Sequence, residues 1–167
     1  MSYIPTHSIE LFRKMSSFYQ IHNSCSEKEA LDQIAIANLY PNWNELMEQY
    51  EADKAVYNFV MEDLVNDEVR FHEDKIKQNN VLEEMGQENK LADTFPVIHN
   101  RVEISAYAIN LSIGSLFKDN KDKYMSVMRH EMRLSGDSTD TSVNVMTKFA
   151  QKIADKALED IKNKKLI

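Results

Sequence analysis

Apolar residues recur at three- and four-residue steps along most of the chain, the spacing that aligns side chains on one face of an α-helix. Ile9, Phe12, Met15 and Tyr19 open the series, with Leu11 and Phe18 widening the stripe. The run His22-Asn23-Ser24-Cys25 interrupts it. Ser26 and Glu29 then have the spacing of a capping box, in which each side chain satisfies an orphan amide at the start of a helix. That second helix carries Ala30, Leu31, Ile34, Ala35 and Leu39, and is expected to end near Tyr40, because Pro41 disfavours a helical residue before it.

Asn42 and Glu45 repeat the cap spacing and open a long third segment. Trp43, Leu46, Tyr50, Tyr57, Val60, Leu64 and Phe71 share one face, with Met47, Met61 and Val65 beside it. The pattern predicts a helix to about Lys77, stopped by Asn79-Asn80. At 1.5 Å per residue it would be about 50 Å long, enough to kink or to project from a small domain toward a partner. Residues 81–95 are weakly patterned and broken by Gly86.

Pro96 suits a first helical turn, where its missing N–H costs nothing. The residues after it, from Val97 and Ile98 through Val102, Ile104, Ile109 and Ile113 to Leu116, predict a central apolar helix near 96–117, buried on several sides. Lys118 to Asp122 form a polar turn, and Tyr124, Val127, Met128 and Met132 mark a helix closed by Ser135-Gly136. Val143, Met146, Phe149, Ile153, Ala157 and Ile161 mark the last helix. The expectation is an all-α fold: one domain, 1–167, built as a helical bundle of six or seven helices.

Composition narrows the class further. With only 3 Gly and 3 Pro, the chain lacks the turns that a β-sandwich or barrel needs. A single cysteine, Cys25, rules out an internal disulfide and suits a reducing compartment. The most apolar stretch, Ile104 to Phe117, is interrupted by Ser105, Asn110 and Ser112, and it is shorter than the roughly 20 residues of a bilayer span. The first residues lack a basic head followed by an apolar run. A soluble, cytoplasmic protein with no membrane association is therefore expected.

Charge is unevenly divided. The chain has a net charge of −7, which argues against general nucleic-acid binding, since phosphate affinity needs a cationic surface. Residues 1–95 carry −10 and residues 96–167 carry +3; the acidity concentrates between Glu45 and Asp93, with 14 acids against 5 bases. A field of one sign steers oppositely charged partners. The alternative is a solvated face that keeps the protein soluble.

Several groupings bear on chemistry. Glu68 and His72, and likewise His99 and Glu103, are four apart, so each pair would present an imidazole and a carboxylate on one helix face. Together they are candidate ligands for a metal such as Fe²⁺, with ordinary ion pairing as the competing account. Asp63 with Asp67, and Glu84 with Glu88, have the spacing that holds Mg²⁺ in metal-dependent all-α hydrolases. The run Glu83-Glu84-Met85-Gly86-Gln87-Glu88 misses by one position the E-E-x-x-E of nucleotide pyrophosphohydrolases. Cys25 lacks a positioned base, and no glycine-rich phosphate loop exists. Lys118, Lys121, Lys123, Arg129, His130 and Arg133 form a local basic group able to meet a phosphate or an acidic partner, diluted by Asp119, Asp122 and Glu131. The methionines, Met125, Met128, Met132 and Met146 among them, suit core packing.

No catalytic motif is complete. The sequence is read as a non-enzymatic acidic helical protein without cofactor, of inhibitor, immunity or adaptor type. It would bind a basic protein partner through Glu62, Asp63, Asp67, Glu68, Glu73 and Asp74, with Tyr50, Tyr57 or Phe59 left exposed as anchors. Assembly into a homo-oligomer is compatible with the same features. The metal-dependent hydrolase or carboxylate–histidine site, with Mg²⁺ or Fe²⁺, is the alternative.

Overall fold

The computed structural model describes residues 7–84, 97–98, 101–102, 106–136 and 139–164. The fold is all-α, with six helices among the described residues: α1 (Ile9–Asn23), α2 (Glu27–Ala37), α3 (Trp43–Glu84), α4 (Ala106–Phe117), α5 (Lys121–Ser135) and α6 (Ser142–Asn163). Two compact units divide the chain. One comprises Met1–Phe59 with Phe117–Met146, the other Val60–Leu116 with Thr147–Ile167.

Local chemistry sets the helix starts. Ser8 accepts the Leu11 amide at the start of α1. The Ser26–Glu29 capping box forms in both directions at the start of α2. Asn42 accepts the Glu45 amide at 3.0 Å, and Asp32 of α2 accepts the Trp43 amide at 2.9 Å, so the first turn of α3 is capped from two sides. Asn120 and Thr141 do the same for α5 and α6.

Three boundaries differ from those read in the sequence. Helix α2 ends at Ala37, earlier than Tyr40. The Leu39 amide reaches the Ile36 carbonyl and the Tyr40 amide the Ala35 carbonyl, a Schellman closure with Leu39 at φ 68°. Helix α3 continues through Asn79-Asn80 to Glu84, because two asparagines lower helix propensity by only tenths of a kcal/mol each, roughly, and good helix formers follow. The central apolar helix predicted over 96–117 starts at Ala106. Before it, β1 (Val97–Ile98) and β2 (Arg101–Val102) pair antiparallel, Val97 with Val102, as suits β-branched residues. Pro96 lies outside the described residues.

In the first unit, α1 and α2 pack together around Phe12, Ile34, Ala35 and Leu46, with Ile9, Tyr40, Trp43 and Met47 against them. Trp43 meets the edge of Phe12 at 6.4 Å and seals this end of the core. Val127, Met128, Met132, Val145 and Met146 are also buried in this unit. The second unit buries Val60, Leu64, Val65 and Val69 of α3, Ile109 and Ile113 of α4, and Phe149, Ile153, Ala157 and Ile161 of α6. Helix α4 buries one face there, while Ser112, Gly114, Ser115 and Leu116 are exposed, so burial on several sides is not what its described side chains show. Thr147 accepts a long hydrogen bond from Asn110, and Lys164 donates to Glu73 at 2.9 Å.

Candidate functional site

Leu46, Tyr50, Asp53, Tyr57, Val60 and Leu64 step by four and three along α3. Asp53 therefore stands in the apolar row, and its side chain is 0% exposed. An isolated carboxylate at such a position is strongly disfavoured, so its partners decide whether it stays. Arg129 of α5 reaches it through two nitrogens, Nε to Oδ2 at 2.9 Å and Nη2 to Oδ1 at 2.7 Å. Arg133, one turn on, places Nη1 3.1 Å from Oδ2, and Gln49 donates to Oδ1 at 2.8 Å. The two-point arginine contact is the strong geometry for a carboxylate.

One turn further along α3, the Tyr57 hydroxyl donates to the buried carboxylate of Glu131 at 2.7 Å. Burial and that carboxylate push the Tyr57 phenol well above its ordinary range, so it stays a donor. His130 packs between the rings of Tyr57 and Tyr50, and the Arg133 guanidinium lies over Tyr50 at 4.9 Å. The seam between α3 and α5 in the first unit is thus a polar network inside an apolar frame.

The basic group read at 118–133 is consequently divided. Arg129 and Arg133 are engaged with Asp53, and Lys123 lies over the ring of Phe59 at 5.4 Å. The arginines stabilise the fold rather than present themselves to phosphate. Nothing in the local spacing announced this. The available signal was Asp53 itself, a lone charge in an apolar row that requires a buried cation.

The acidic residues fall into different settings. Glu62, Asp63, Asp67 and Asp74 are exposed on α3. Glu62 and Asp63 make no ion pair among the described residues, while Asp67 and Asp74 have only long contacts within the helix, to Arg70 at 3.6 Å and Lys77 at 4.0 Å. Glu73 is held by Lys164, just after the end of α6, which lowers its carboxyl below the usual range. Glu68 is half-buried beside His72, with Oε2 3.8 Å from Nε2. Burial, and then Asp67, raise the Glu68 carboxyl, and burial lowers the His72 imidazole.

Of the expected anchors, Tyr57 is buried and Tyr50 half-buried, whereas Phe59 is 60% exposed. Phe71, placed on the buried face in the sequence reading, is also exposed, with Lys75 over its ring. His99, Glu103 and Glu88 and the side chain of Glu84 lie outside the described residues. Among those that are described, no group of three His, Cys, Asp or Glu side chains is placed to hold a metal ion. An open groove of about 450 Å³ lies at the starts of α2 and α3, between Lys28, Leu31, Asp32 and Trp43.

No described helix is long and apolar enough to cross a membrane. Comparison with family models, curated proteins and solved structures finds no match to this chain.

Proposed function

We propose that this is a non-enzymatic binding protein that offers the outer face of α3 to a basic macromolecular partner. The observation that carries the reading is a contrast in how charge is used. The arginines of α5 are taken up by Asp53, while Glu62, Asp63 and Asp67 stand exposed on α3 with at most one long intrahelical contact. An uncompensated field of that kind raises encounter rates with cationic surfaces.

A labelled decalysine peptide serves as the probe. Reversing three charges as Glu62→Lys, Asp63→Lys and Asp67→Lys is expected to weaken binding at least tenfold and to flatten its salt dependence. A control reversing Glu10, Glu27 and Asp119 changes the net charge equally and should weaken it far less. Equal losses in the two variants would mean that only net charge matters, and the reading falls.

Self-assembly is the second reading, favoured by Leu11, Met15, Phe18 and Ile21, which are exposed along one side of α1. Sedimentation velocity of the wild type and of Phe18→Lys separates the two. A dimer lost in the variant supports assembly, and a monomer in both removes it.

A further inference from the structure

His130 is 4% exposed, and its ring centroid lies 4.7 Å from that of Tyr57 and 5.7 Å from that of Tyr50. Its Nδ1 is enclosed and has no hydrogen-bond partner among the described residues. In the imidazolium form both ring nitrogens carry protons, whichever tautomer the neutral ring adopts. Protonation therefore leaves an Nδ1–H donor buried without an acceptor, an unfavourable state inside a packed seam.

The surrounding carboxylates are already committed. Asp53 of α3 receives Arg129, Arg133 and Gln49, and Glu131 of α5 receives the Tyr57 hydroxyl. The cations that act on His130 are Arg133 on its own helix and Lys54 on α3, and the anions are Asp53 and Glu131. Arg129 shares Asp53 with Arg133, and Tyr40, ahead of α3, acts on Arg133. A new positive charge thus enters a seam that already holds two arginines around one carboxylate.

We propose that His130 is a proton-operated latch: neutral, it lets α5 close on α3 within the first unit, and protonated, it loosens that pairing. Burial first, and Arg133 second, lower the proton affinity of the imidazole, with Asp53 and Glu131 opposing. The folded unit therefore binds fewer protons than the unfolded chain below the ordinary imidazole value of 6.5. The histidine's contribution to stability is fully present above that value, and it is lost progressively as pH falls below it.

The test uses the whole chain. Proton–carbon NMR follows all 5 histidines from pH 8 to 5, with His130 identified by its contacts to Tyr57 and by the signal missing in His130→Gln. His130 is expected to titrate below the ordinary imidazole value of 6.5. In parallel, between pH 7.5 and 5.5 the wild-type Tm should fall further than that of His130→Gln, by about 2 °C or more. His72→Gln, which removes a half-buried imidazole of α3, should leave the His130 titration unchanged. An ordinary titration of His130, or the same Tm loss in His130→Gln, overturns the proposal. If His130→Gln does not fold, the wild-type titration decides alone.

Discussion

Arg129 closes on Asp53 through two of its nitrogens, at 2.9 and 2.7 Å, joining α3 to α5 across 76 residues of sequence. Because Asp53 is fully buried, this contact decides whether the first unit can tolerate its own apolar row. Replacing Asp53 with Ala leaves Arg129 and Arg133 facing each other without their carboxylate. The expected loss is about 3–5 kcal/mol, read as a lower urea midpoint. The isosteric change Asp53→Leu combined with Arg129→Met and Arg133→Met should recover part of it, since no buried charge is then left without its partner.

Tyr57→Phe tests the second polar link. The ring remains in the core, but the Glu131 oxygen loses its 2.7 Å donor. The expected cost is about 1–3 kcal/mol, with no change in helicity by circular dichroism.

Phe12→Ala opens a cavity at the α1–α2 end of the first unit, where Phe12 is 0% exposed and Trp43 meets its edge. A loss of about 3–5 kcal/mol is expected. The protein has one tryptophan, so fluorescence reports this site directly, and a red-shifted emission should accompany the loss.

Leu39 occupies the left-handed position that closes α2, a place glycine takes without strain, and its side chain is 75% exposed. Leu39→Gly should therefore stabilise the protein, by about 0.5–1 kcal/mol after the entropic penalty of glycine. Gly136, at φ 66° after α5, is the converse, and Gly136→Ala should cost about 1 kcal/mol. Paired urea titrations check both signs.

Glu68 carries a raised carboxyl, from burial and then from Asp67, and His72 lies 3.8 Å from it. Its charge disfavours the folded state once pH exceeds the folded value, and that penalty vanishes below the ordinary 4.5, where the group is protonated in both states. Glu68→Gln should therefore raise Tm at pH 7 by the equivalent of less than about 1 kcal/mol, given its partial exposure. The difference should disappear near pH 4.

The sequence by itself determined what depends on neighbours along the chain. The Ser26–Glu29 box, the Asn42 cap and the Gly136 stop were legible because each joins groups three or four residues apart. The start of α3 at the Asn42 cap, the all-α class and the acidity of its outer face follow from the same short-range rules, since period and composition need no tertiary partner. Tertiary structure alone decided which charges remain available. Glu131 looks like Asp63 and Asp67 in sequence, and only its place in an apolar row sets Asp53 apart, yet Asp53 and Glu131 are enclosed by α5 and α3 while Asp63 and Asp67 face water. The arginines that read as a basic surface are drawn inward for the same reason, since a buried carboxylate needs a cation and the only means of finding one is a contact between helices far apart in the chain.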